Sequence, residues 1–119
     1  MQIIRSNEGQ VNQGTTFTGE TWLTRSLPEQ EGDGTTVSVV RFVDGARTNW
    51  HAHPGEQVLY VIEGEGRAGT ETEEFQLFPG DIVYAKRGER HWHGAAAGKD
   101  MTHLSVTNVG PAEWFEAPE

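Results

Sequence analysis

The chain has 119 residues, which leaves room for one domain, expected to run over 1–119. With 34% hydrophobic residues it can build a core. No apolar run approaches the ~18 residues that cross a bilayer, and the start MQIIRSNEGQ lacks the basic-then-apolar pattern of a secretion signal, so a soluble, cytoplasmic protein with no membrane partner is expected. Nine Lys and Arg against 18 Asp and Glu give a net charge of -9, which opposes a phosphate backbone, so nucleic acid is not an expected partner. With no cysteine, disulfides, thiolate ligands and thiol nucleophiles are excluded, and any metal must be held by His, carboxylate or amide groups.

Taken in chain order, β-branched and aromatic runs alternate with turn residues. The runs are 2–5, 15–24, 35–43, 57–63, 74–78, 81–85, 91–93 and 101–107, and the breaks between them include Gly32, Gly34, Asp44-Gly45, Pro54-Gly55, Gly64, Gly66, Pro79-Gly80, Gly88 and Gly98. Few intervals could hold a three-turn helix. Short strands at this spacing predict an all-β sandwich or barrel. The acidic stretch 28–34 reads as a solvated loop and 71–74 as an exposed hairpin arm, because charge runs favour water. The tail 112–119, with Trp114-Phe115 among acids, reads as a last edge strand or a docked arm.

All five histidines fall between 51 and 103, and four form two His-x-His units, His51-Ala52-His53 and His91-Trp92-His93. Random placement would supply about 0.2 such pairs, so two of them form a pattern. On a strand, residues i and i+2 share a face, so each unit aims two imidazoles into one space. If the strand continues through Pro54-Gly55, Gln57 keeps the parity of His51 and His53, while Glu56 points away despite its charge. Spacing therefore predicts a metal site from His51, His53, Gln57 and one of His91 and His93. Isolated between Thr102 and Leu104, His103 reads by spacing alone as structural. Ligands that are all neutral leave the ion its full charge for an exogenous group.

These residues resemble the cupin family of small jelly-roll β-barrels. Its first motif, G-x5-H-x-H-x3,4-E-x6-G, is matched over 45–64 by Gly45, His51, His53 and Gly64, with Gln57 in the usual place of Glu. The second, G-x5-P-x-G-x2-H-x3-N, is matched over 80–95 by Gly80, Gly88 and His91, with Lys86 for the proline and Ala95 for the asparagine. The stretches GARTNWHAHPGEQ, PGDIVY, GERHWHGAA and MTHL are similar to those of small bacterial cupins that bind manganese, some of them hydroxynitrile lyases.

The resemblance implies His51, His53, Gln57 and His91 as ligands of one divalent transition metal, manganese first, with iron, nickel, cobalt or zinc as alternatives. It also implies that His93 and His103 face the same cavity unligated, as catalytic residues. The expected function is redox-neutral Lewis-acid and general-base chemistry on a small-molecule substrate, a lyase of the hydroxynitrile-lyase kind. The alternatives are a metal-dependent dioxygenase or other oxidoreductase, and a non-catalytic small-molecule or metal-binding module. A Gln in place of Glu favours the redox-neutral reading, since a neutral ligand stabilises an oxidised metal less. Phe42 and Tyr60 are expected as apolar walls, Trp50 and Trp92 as packing or interface residues, and the protein as a homodimer.

Overall fold

We describe a computed structural model that covers residues 1–6, 8–14 and 16–119. In chain order its strands are β1 (Gln10–Gln13), β2 (Phe17–Thr18), β3 (Thr21–Leu27), β4 (Thr35–Phe42), β5 (Arg47–Thr48), β6 (His51–Ala52), β7 (Gln57–Gly64), β8 (Gly66–Gly69), β9 (Glu74–Leu77), β10 (Ile82–Ala85), β11 (Trp92–Ala95), β12 (Met101–Asn108) and β13 (Glu113–Trp114). None of the described residues is helical. Six strands form one antiparallel sheet in the order β1-β3-β4-β12-β7-β10, five form a second in the order β2-β5-β11-β8-β9, and β13 pairs with β6. Neighbours in each sheet are often far apart in the chain. This is the topology of a jelly-roll β-barrel.

The expected runs are recovered with shifted ends, and two differences have a physical cause. The run 2–5 is not a strand, because its apolar residues have no sheet partner and Ile3 is exposed. The run 15–24 is broken into β2 and β3 at Gly19, which adopts φ 89°; Thr15 itself lies outside the described residues. The strand β8, Gly-Arg-Ala-Gly, has little intrinsic strand preference and forms because β9 and β11 pair with it on both sides. Gly94 is required in β11: a Cβ there would lie 2.4 Å from the Cα of Arg47.

The apolar core is concentrated towards one end of the barrel, and Val40, Phe17 and Leu23 continue it into the wall of the cavity described below. Phe42, Val61, Ala68, Leu77, Ala95 and Met101 pack at that end out of solvent, with Phe17 and Val83 against them. Each large side chain buried this way stabilises the fold by about 1.5–3 kcal/mol. The same strands turn polar towards the other end. On β4 the inward positions run Phe42, Val40, Ser38, Thr36, and on β12, which is antiparallel to it, Met101, His103, Ser105, Thr107. The polar end holds the site.

Candidate metal centre

Backbone pairing joins the two His-x-His units. The N–H of His51 donates to the carbonyl of His91 and the N–H of His91 donates to that of His51, both at 2.9 Å. Two residues paired this way across antiparallel strands project their side chains to the same side. The second loop is tied to the first motif once more, where Gly88, at φ 73°, donates its N–H to the His53 carbonyl. Gln57 arrives separately, at the start of β7, and packs inward as that strand alternates buried and exposed residues from Gln57 to Val61.

Three nitrogen-bearing rings, His51, His91 and His93, come close enough that a ring nitrogen of each lies within 4.8 Å of the others. This group can hold a metal ion. The His53 ring lies 5.2 Å from that of His51 and 6.0 Å from that of His91. A cavity of about 250 Å³ opens beside them, with a lining that includes His51, His53, Gln57, His93 and His103, the hydroxyls of Ser38, Thr48 and Ser105, the charged Arg25 and Glu29, and the apolar Phe17, Leu23, Val40 and Trp114. His91 also borders a neighbouring hollow with Ala85 and Glu89, its ring 4.3 Å from that of His51 and its Nε2 2.9 Å from Gln57 Oε1.

The hydrogen bonds fix which atoms remain free. His51 Nδ1 lies 3.0 Å from the carbonyl of Asn49, and His91 Nδ1 2.8 Å from that of Glu89. A carbonyl only accepts, so both Nδ1 atoms carry the proton and both Nε2 atoms present lone pairs. Gln57 Nε2 donates to Ser105 Oγ at 3.0 Å, which turns Oε1 towards His91 Nε2 at 2.9 Å. Two acceptors then face each other, an arrangement that a cation between them resolves. Turning the amide over would satisfy that pair alone. It would do nothing for His53, whose two ring nitrogens are buried without any partner, nor for His93 Nε2, equally orphaned. Buried polar atoms are rarely left this way, and the donor set suits a borderline transition metal.

Burial holds the imidazoles neutral, as ligation requires. His51 is lowered to about 3, first by burial and then by the neighbouring His91, and His53 to about 4 by burial and then by His91. Burial also lowers His91 and takes His93 well below the ordinary value, with His103 adding to the effect on His93. His103 is lowered to about 4 by burial.

His103 is fully buried against Phe42, ring centroids 5.1 Å apart, and its Nε2 lies 3.0 Å from His93 Nδ1. The two are therefore a hydrogen-bonded pair. Glu56 turns outward, where its carboxylate accepts a bond from the Tyr84 hydroxyl. The strand on which the parity argument relied is interrupted, since β6 ends at Ala52 and β7 begins at Gln57. Phe42 does wall the histidine pair, whereas Tyr60 is 45% exposed on the outer face of its sheet. Trp92 is buried beneath Arg47 and Arg67, and Trp50 packs beneath Arg90.

Three contributors are not among the residues that the sequence reading assigned to the site. Thr48 accepts the N–H of His93 and lies 3.4 Å from His51 Nδ1. Ser105, which orients Gln57, shares the parity of His103, a signal available in the sequence. Trp114 lies over His51 at 4.5 Å, and no local pattern marks it.

A family model for the cupin domain matches residues 38–107. Among curated proteins, the (R)-mandelonitrile lyase of Granulicella tundricola is 50% identical over 70 residues, covering 56% of this chain and 52% of that protein. Ribosomal oxygenase 2 of Bos taurus is 36% identical over 56 residues, 46% of this chain and 12% of that protein. The matches thus span about half or less of these relatives' lengths. Among solved structures, a cupin-like protein from Thermotoga maritima superposes with a TM-score of 0.80 at 34% identity, over 89% of this chain and 87% of that one. The polyketide cyclase RemF from Streptomyces resistomycificus superposes at 0.77 over 100% and 88% of the two chains, a likeness of fold alone at 17% identity. The jelly-roll topology, the paired histidine motifs and a family match over more than half of the sequence agree: the chain belongs to the cupin family.

Proposed function

We propose that this cupin binds one divalent transition metal, manganese first, through His51, His53, Gln57 and His91, and that it is a redox-neutral lyase acting on small α-hydroxynitriles. The observation that carries the reading is the set of buried, neutral and unpartnered nitrogens around the 2.9 Å contact of His91 Nε2 with Gln57 Oε1. The matched half of the Granulicella mandelonitrile lyase supports it. When bound, the metal supplies positive charge for a substrate oxygen, undiminished by any anionic protein ligand.

His93 and His103 move the proton. His93 presents Nε2 as a lone pair when its Nδ1–H donates to His103 Nε2, and it takes the substrate hydroxyl proton there. The carbon–carbon bond then breaks, a carbonyl forms, and the departing cyanide takes from His93 the proton removed from the hydroxyl, leaving as hydrogen cyanide and restoring the neutral imidazole. Phe42 excludes water from the pair. Elemental analysis and cyanide release from mandelonitrile test the reading together. We expect about one metal per chain, lost in His51→Ala/His53→Ala and retained in His93→Ala with activity lost. Metal lost in His93→Ala and kept in His53→Ala would replace His53 by His93 in the ligand set. Oxygen consumption with no cyanide release would move the reaction to the dioxygenases.

We further propose that the chain pairs with a second copy through the outer face of the six-stranded sheet. Two cross-strand rows, Val39-Leu104-Tyr60-Ile82 and Val37-Val106-Val58-Tyr84, run over β4, β12, β7 and β10 there. Outward positions of an antiparallel sheet are normally polar. A chain of net charge -9 repels its own copy wherever its acids meet, and neither row contains a charge. The edge of β10 lies beside the rows, so a two-fold copy covers both liabilities at once. Light scattering should give twice the chain mass, falling to one chain in Tyr60→Glu/Ile82→Glu. A monomeric wild type overturns the pairing.

A further inference from the structure

The last residues of the chain fold back across the open end of the barrel. Val109 and Gly110, at φ 68° and 113°, turn the chain after β12, and Pro111, Ala112 and Trp114 then line the cavity. The segment is anchored along its length. Trp114 pairs in register with His51, the N–H of Phe115 donates to the Trp50 carbonyl, and the N–H of Trp50 donates to that of Glu116. Arg47 donates to the carbonyl of Pro118, which is itself buried, and Arg90 binds the Glu116 carboxylate while lying over the rings of Trp50 and Phe115. So many ties hold the Trp114 backbone in one place. Its ring is thereby set 6.1 Å from that of Phe17 and 4.5 Å from that of His51.

The cavity lining includes the polar groups His51, His53, Gln57, His93 and His103, the charged Arg25 and Glu29, and the apolar Phe17, Leu23 and Trp114. Trp114 is the one of these apolar residues that both borders the metal centre and remains 39% exposed, at the mouth. We propose that Trp114 is the specificity-determining residue of this cavity, forming with Phe17 the wall that takes the flat apolar or aromatic group of a small ligand whose polar end lies at the histidines. This deepens the lyase reading above and rests on it for the identity of the reacting end, while the wall itself needs no metal. An aromatic wall held by backbone bonds selects by shape and contact area.

The test is an NMR titration of the metal-free and the zinc-loaded protein with benzyl alcohol and with propan-1-ol, following saturation transfer to the alcohol's own resonances in every variant and, in the wild type, also the Trp114 indole N–H, assigned by its loss in Trp114→Phe. Benzyl alcohol should move that resonance at lower concentration than propan-1-ol in both forms of the protein. Trp114→Phe should keep the preference, and Trp114→Ala should weaken benzyl alcohol binding by about threefold to tenfold while leaving propan-1-ol within about twofold. If Trp114→Ala does not fold, Trp114→Leu, which keeps an apolar side chain but no ring, should show the same loss of preference. Equal response to the two alcohols in the wild type, or an unchanged preference in the variant lacking the ring, overturns the proposal. Failure of the lyase reading shows up separately, as absence of metal on elemental analysis or of cyanide release, with the alcohol preference intact.

Discussion

The two ends of the barrel interior are built by the same strands and do opposite things. At one end β4, β7 and β12 contribute Phe42, Val61 and Met101, each fully or almost fully buried, in ordinary apolar packing. A few residues along, the same strands contribute Ser38 and Thr36, Gln57, and Ser105 and Thr107. His103 stands at the boundary, its ring against Phe42 on one side and bonded to His93 on the other. Burial is therefore a poor guide to role in this molecule, because both ends are shielded from water and only one of them is stabilised by being dry. The apolar end stabilises the fold. At the polar end, removing imidazoles from water costs stability that an ion can return, since whatever binds the folded state alone stabilises it.

The sharpest way to break this contrast is to exchange a large side chain for a small one at each end. Phe42→Ala should destabilise the fold by about 3–5 kcal/mol, enough to unfold most of a marginally stable domain, and urea denaturation of the metal-free protein measures it. The double substitution His51→Ala/His53→Ala should have the opposite profile, with bound metal lost and the metal-free protein folded, read by elemental analysis beside circular dichroism. If that variant unfolds without metal as readily as Phe42→Ala, the two ends do not differ in the way described.

Next in size is His103→Ala, which should keep metal and fold but lose about 10²- to 10⁴-fold in cyanide release from mandelonitrile, the usual worth of proton transfer by a placed group. An intact rate would leave His93 acting without its partner.

Acid should also separate the two ends. Around and below pH 6.5 the histidines of the unfolded chain take up protons that the folded interior refuses until about pH 4 for His53 and His103 and about 3 for His51. The unfolded state then binds more protons, so these groups begin to lower stability about one unit above pH 6.5, do so increasingly as pH falls to about 4, and contribute little pH dependence above about 7.5. Urea midpoints of the metal-free protein at pH 8.5, 7.5, 6.5, 5.5 and 4.5 should be nearly level over the first step, fall slightly over the second and fall more steeply over the rest. Replacing His53 by Gln should flatten the fall, and an unchanged slope would show that His53 is not one of the groups responsible. The smallest expected effect is that of Glu56→Ala, which removes the Tyr84 partner on the surface and should leave metal content unchanged; loss of metal there would contradict the outward placement of its carboxylate.

Much of the site was legible because imidazoles at i and i+2 admit few explanations. Two His-x-His units in one short chain point to a shared cavity by strand geometry, and Gln57 could be preferred to Glu56 on parity. That argument assumed one unbroken strand, which the chain does not form. Gln57 reaches the cavity from the start of β7, where alternation begins afresh. His103 was legible only through family likeness, since a lone histidine between Thr102 and Leu104 carries no local sign of its role.

The sequence by itself determined the class of the fold and pointed to a shared histidine cavity. Turn residues at short intervals leave room for strands alone, and the absence of cysteine removes thiolate donors. Tertiary structure decided everything that depends on strands distant in the chain. The reciprocal hydrogen bonds of His51 with His91 set the two motifs face to face, and Ser105 turns the Gln57 amide. The bond to His93 makes His103 part of a pair, and the returning tail brings Trp114 over a histidine more than sixty residues before it. Side-chain periodicity is a local property, readable from neighbours along the chain. Which faces then meet is set by sheet order, and in a jelly roll sheet order joins residues whose separation in sequence carries no periodic signal.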